Sequence, residues 1–141
     1  MAFEHLALLH LVPTLVMAGV IWFVQVVHYP LFAAVGERAF RNYEERHTQR
    51  TTWVVLPPMV AELALATWLL LRAPEPARPL AWLGAGLVAG LWLSTFLVQV
   101  PCHARLSQGF DAPTWRRLVR SNWARTAMWT ARAAIALRLC W

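Results

Sequence analysis

The chain has 141 residues, 59% of them hydrophobic and 14% charged, with 13 arginines, no lysine and a formal net charge of +6. Soluble domains average about 45–50% apolar and about 25% charged residues, so this composition excludes an ordinary soluble domain and points to an integral membrane protein. The arginines fall in short segments between apolar stretches, where membrane topology accounts for them better than a nucleic-acid partner does.

Four stretches approach the roughly 20 apolar residues that a membrane-spanning helix needs. The first covers residues 6–29. It has no basic n-region, and its apolar run exceeds the roughly 7–15 residues of a signal-peptide core, so it is expected to stay in the chain. It ends on VQVVHYP (residues 24–30), which sets Gln25, His28 and Tyr29 just before Pro30. In the loop that follows, Leu31, Phe32, Val35, Ala39, Phe40 and Tyr43 recur at helical spacing, which predicts an amphipathic helix along the membrane interface.

The second span, 51–71, holds Pro57 and Pro58, a pair expected to kink it, and then Glu62. RAPEPARP (72–79) is a stiff turn into the third span, 80–100, which ends on VQVPCHARL (98–106). Asp111 before Pro113 reads as a helix N-cap. The helix it opens, with Trp115, Leu118 and Val119 on one face, leads into the fourth span, 122–139, which carries Arg125 and Arg132. Glu62 and Arg132 fall at similar depth and are expected to form an ion pair inside the bundle, either locking it or relaying protons. Cys102 and Cys140 fall on opposite faces, so no disulfide is expected. Most of the nine tryptophans fall near span ends, as an aromatic belt would.

The loops after spans one and three carry Arg38, Arg41, Arg46 and Arg50, and Arg105, Arg116, Arg117 and Arg120; the other face has Arg72, Arg78 and Arg138. Eight against three puts both arginine-rich loops in the cytoplasm and both termini outside.

The chain also repeats. A shift of 75 residues lays His28 on His103, Leu31 on Leu106, Phe40 on Trp115, His47 on Asn122, Arg50 on Arg125 and Thr51 on Thr126, with Gln25 and Gln99 one residue out of step. The expected fold is therefore an all-α, single-domain membrane bundle of four helices. It is built from two parallel-repeat hairpins (about 1–72 and 76–141), with amphipathic helices in the cytoplasmic loops.

Such a bundle brings Gln25, His28, His47, Arg50, Gln99, His103, Asn122 and Arg125 to one end. His28, His47 and His103 are candidate ligands for copper, iron, zinc or haem, with Gln25 and Gln99 beside them. Alternatively the three histidines, His47 among them, act as general bases on a phenolic substrate; Arg50 and Arg125 would stabilise the developing anion, and Asn122 would orient the ligand. Against this stand interfacial histidines bonded to helix ends and arginines that merely snorkel. His5 and His10 are expected near the outer face, without a role. No nucleophile elbow, phosphate loop or HExxH is present. The expected partners are the bilayer, an aromatic or quinone-like small molecule, and a second copy or a larger membrane complex. A non-enzymatic subunit and a small transporter are the alternatives to an oxidoreductase.

HYPLF, the stretch YEERHTQRTTWVVLPPMVAELA with its P-x-x-x-E (Pro58 to Glu62), and NWxRT (Asn122 to Thr126) resemble small bacterial four-span membrane proteins. They are similar to the anthrone-oxygenase-like family and, more distantly, to copper-resistance and protoporphyrinogen-oxidase four-helix proteins. The resemblance covers most of the chain through loose motifs. It implies oxidation of an aromatic polyketide-like or porphyrin-like substrate in the bacterial inner membrane, without a cofactor in the first branch and with haem in the porphyrinogen-oxidase branch. The chain departs from that last branch in having no lysine.

Overall fold

The computed structural model describes residues 2–141, and every regular element in it is helical. The first rod runs through α1 (Phe3–Phe23), a π-helical turn (Val24–His28), the short α2 (Tyr29–Leu31) and a 3-10 turn (Phe32–Ala34). Gly36, at φ 79°, takes a backbone conformation that disfavours a side chain, and redirects the chain into α3 (Glu37–Arg72). A short turn leads to α4 (Arg78–Ser94), a second π-turn (Thr95–Gln99) and α5 (Val100–Leu106). The last helix is α6 (Ala112–Leu139). Asp111 caps it as expected, accepting from Thr114 N at 3.0 Å, and the bonds from Thr114 hold its carboxyl below the usual carboxylate range.

Three rods, Phe3–Ala34, Glu37–Arg72 and Arg78–Leu106, are long and apolar enough to cross a membrane. The fourth expected span lies in α6, which is not among them: six arginines along it lower its hydropathy. Two of these, Arg125 and Arg132, are buried within the bundle. The amphipathic stretch expected as one interfacial helix is split at Gly36: Leu31, Phe32 and Val35 belong to the end of the first rod, and Ala39, Phe40 and Tyr43 to the first part of α3, which runs unbroken for 36 residues. Pro57 and Pro58 remove two N–H donors but do not interrupt it. Such gaps are tolerated where neighbouring turns and helices hold the backbone.

Both α1 and α4 pack against α3 and α6, so the core is shared by all four rods. It has three layers. Leu6, Ala7, Leu69, Ile135 and Leu139 fill the end near the termini; Met17, Ile21, Met59, Leu91 and Trp129 fill the middle; and Tyr29, Phe32, Phe40, Cys102, Leu106 and Leu118 fill the far end. Outward faces are apolar, with Trp22, Trp53, Trp68, Trp82 and Trp123 exposed in the manner of aromatic belts. Trp129 is buried instead, and both cysteines are free.

Between the first two layers lies a buried polar knot. Arg132 Nε donates to Glu62 Oε1 at 2.6 Å, forming the expected pair. Thr14 donates its hydroxyl to Glu62 Oε2 at 2.7 Å. His10 Nε2 lies 2.5 Å from Arg132 Nη2 and 2.8 Å from Glu62 Oε2. The expectation that His10 has no role is thus corrected: it is fully buried, facing the pair from the next helix.

Gly84 makes room for this knot. A Cβ there would sit 2.0 Å from Arg132 Nη1 and 3.0 Å from its Cζ. The guanidinium is held by Glu62 and cannot swing clear, so Gly84→Ala is expected to destabilise the fold by about 1–3 kcal/mol, the usual cost of overpacking. Thermal unfolding of the two forms in the same detergent measures it. Equal midpoints would show that the guanidinium can move aside.

Candidate metal centre and its cavity

The π-turns shape the far end of the bundle. A π-turn adds a residue to the helix repeat, which rotates everything after it, and such turns recur at functional sites. In the first rod the turn buries Gln25, ends on His28 and leads directly into buried Tyr29. In the third rod it buries Gln99 and leads into α5, which carries His103. On α3, Glu44 and His47 are spaced i, i+3 and share the buried face with Phe40.

These side chains meet. His28 Nε2 lies 2.8 Å from His47 Nδ1, and Thr51 Oγ1 lies 3.1 Å from the same nitrogen. His103 Nδ1 lies 2.5 Å from Glu44 Oε1, and Tyr29 OH lies 3.0 Å from His103 Nε2. The rings of His28 and His47 are 4.7 Å apart, and those of His47 and His103 are 5.3 Å apart. The structure therefore does bring His28, His47 and His103 together.

Glu44, His47 and His103 each offer a ligand atom, all within 4.8 Å of one another, and the group could hold a metal ion. Glu44 is fully buried, and its Oε2 has no hydrogen-bond partner among the described residues. A buried carboxylate oxygen without a partner is costly; a cation would satisfy it. Metal–ligand bonds of about 2.0–2.2 Å set neighbouring donors roughly 3–3.5 Å apart, so an ion between them would part His103 Nδ1 and Glu44 Oε1, now 2.5 Å apart, and draw His47 in. The imidazoles pack against one another, which suits an ion and leaves no slot between them for a porphyrin plane. In this closest group of donors Glu44 takes the place expected of His28, which instead bonds to His47 from behind.

The other expected site residues form a second network. Asn122 Nδ2 donates to Gln25 Oε1 at 2.9 Å, and Gln25 Nε2 donates to Val119 O at 3.3 Å. Arg125 Nη1 donates to Asn122 Oδ1 at 3.1 Å, and Gln99 Nε2 to Ser121 Oγ at 3.1 Å. Gln25 and Asn122 thus tie the first rod to α6 and bond to no imidazole. The expectation for Arg50 is corrected: it is exposed and, among the described residues, makes no bond to the cluster. Thr51, not Arg50, takes the inward position on that turn of α3.

A cavity of ≈ 520 Å³ adjoins the cluster. Its polar end is lined by Tyr29, His47, Gln99, His103 and Arg125, and its apolar length by Met17, Val55, Met59, Trp92 and Phe96. Leu56, Phe96 and Val100, all exposed on the outer surface of the second and third rods, also border it. The cavity therefore opens sideways, where acyl chains would lie.

No protein-family model, curated protein or solved structure matches this chain.

Proposed function

We propose that the chain is a membrane-embedded oxidoreductase or oxygenase. It would hold one transition-metal ion through Glu44, His47 and His103 and act on a lipophilic substrate admitted from the bilayer. The observation that carries this reading is the set of two imidazoles and one carboxylate, with an unpartnered buried oxygen, beside a laterally open cavity. Two histidines and one carboxylate form the donor set of non-haem iron(II) oxygenases, and also of some catalytic zinc sites.

In this reading α6 is the fourth span, its two deepest arginines covered by the bundle. The imbalance of arginines sets the metal end in the cytoplasm and both termini outside the bacterial inner membrane. The paired π-turns, and the like placement of His28 with His103 and of His47 with Asn122, support a duplicated hairpin. The resemblance to anthrone-oxygenase-like proteins agrees with an aromatic or quinone-like substrate.

Bound iron(II) would supply one-electron and dioxygen chemistry. The chain's own residues prepare the site. Tyr29 fixes the ring of His103 through Nε2, while His28 and Thr51 fix His47 through Nδ1. Such outer partners orient ligands and tune their basicity. The apolar walls keep bulk water from the substrate.

Elemental analysis and an absorption spectrum of the purified full chain test the proposal. One ion per chain is expected, lost to a chelator and regained on adding iron(II). Protein that stays metal-free after such loading overturns it. A second reading has one specific observation behind it: both ring nitrogens of His103 are already hydrogen-bonded. On that reading the cluster only fastens the rods of an accessory subunit, and metal-free protein should be fully stable and carry partner chains through purification.

A further inference from the structure

Arg125 and Gln99 are left incomplete in a way the metal does not explain. Arg125 is 6% exposed and Gln99 3% exposed, and both line the cavity. Among the described residues the Arg125 side chain makes a single hydrogen bond, from Nη1 to a neutral amide oxygen, that of Asn122, and its Nε has no partner. None of the ion pairs among the described residues includes it. Gln99 Oε1 is likewise buried and unpartnered. A buried guanidinium without an anion is an expensive arrangement, since the group stays charged. Arg132, deeper in the same helix, has its carboxylate; Arg125 has a cavity instead.

We propose that the cavity binds an amphipathic carboxylate, whose head pairs with Arg125 and whose apolar body lies along Val55, Met59, Trp92 and Phe96. The guanidinium fork matches a carboxylate through two parallel N–H donors, and Asn122 takes only Nη1, leaving the buried Nε without a partner among the described residues. Gln99 Oε1 takes a hydroxyl or an ordered water at the same head. Arg125 lies in the first turn of the expected fourth span, 122–139, near the depth of lipid headgroups. The inference rests on the proposed membrane setting and deepens it by naming the substrate class, yet Arg125 is not one of the metal donors, so the two can be tested apart.

The experiment uses the full chain in neutral detergent, metal-loaded and chelator-treated. The readout is quenching of Trp92, taken as the difference between wild type and Trp92→Phe. The probes are a brominated dodecanoate, the matching brominated dodecanol and a brominated alkylbenzoate of equal length. The carboxylates should quench saturably, and the alcohol should bind about tenfold or more weakly, the loss expected for one charge-assisted pair. Arg125→Gln should reduce the acids to the level of the alcohol, and Arg125→Lys should recover part of the difference. Val55→Phe, which leaves the guanidinium in place but fills the cavity, should weaken acids and alcohol alike. Comparing the two acids identifies an aliphatic or an aromatic body. Equal binding of acid and alcohol, or unchanged acid binding in Arg125→Gln, overturns the inference. If Arg125→Gln does not fold, undiminished acid binding in Val55→Phe does so. Acid binding without metal uptake, or metal uptake without acid binding, shows which of the two proposals has failed.

Discussion

Replacing His103 with alanine is expected to lower affinity for a divalent transition metal by about 100-fold or more. Loss of an outer hydrogen-bond partner alone costs about 10–100-fold, and loss of a ligand lies at or beyond the top of that range. Glu44→Gln should do the same by a different route: the amide keeps the shape but loses the charge that makes a buried oxygen a good metal donor. Tyr29→Phe leaves every donor in place and removes only the hydroxyl 3.0 Å from His103 Nε2, so it belongs in the lower, outer-partner range. Arg50→Gln, at an exposed position, should change nothing. Competition with a chromophoric chelator orders the four variants. The ordering is the test, because a merely structural cluster predicts no metal affinity to lose. If His103→Ala binds metal as tightly as wild type, the donor assignment fails even where the protein itself proves metallated.

The sequence exposes part of this site and hides part of it. The three imidazoles are legible because His28, His47 and His103 stand at the ends of apolar stretches, and a bundle of antiparallel rods brings alternate ends together. Glu62 and Arg132 are legible for a similar reason: isolated charges at matched depth in apolar sequence have few partners to choose from. Glu44 is concealed by its company, lying among Arg41, Glu45, Arg46 and Arg50, where a carboxylate reads as part of a solvated face. The signal was its spacing to His47: Glu-x-x-His sets both side chains on one helical face and is a known metal-binding pattern in helical bundles.

Arg50 misleads for the opposite reason. The 75-residue shift lays it on Arg125, but positions aligned by sequence alone need not share an environment. Thr51 turns inward on α3, whereas on α6 Arg125 itself does. The boundary between interface and span is also hidden, because α3 stays helical through both and only its surroundings change. His10 looks idle since its partners, Glu62 and Arg132, are 52 and 122 residues away in sequence.

The deepest polar knot should show a marked asymmetry between its two halves. Removing one member of a buried ion pair costs about 3–5 kcal/mol, because the other is left charged and uncompensated. Arg132→Met leaves Glu62 with Thr14 and His10 as partners, and a lone carboxyl can take up a proton and become neutral. Glu62→Gln leaves Arg132 facing a neutral amide and His10 with no anion, and a guanidinium cannot shed its charge. Glu62→Gln is therefore expected to be the more damaging change, at the upper end of that range, and Arg132→Met the milder. The double variant Glu62→Leu with Arg132→Met should recover most of the loss, since apolar replacement of a whole buried pair is often neutral or better. Adding Glu62→Leu alone closes the cycle, and unfolding of all these forms in one detergent gives the coupling energy. Equal losses in the two single variants would show that water reaches the knot and screens it. If the double variant instead unfolds as readily as Glu62→Gln, the pair sets the register of α3 against α6, and its geometry rather than its charge balance holds those helices together.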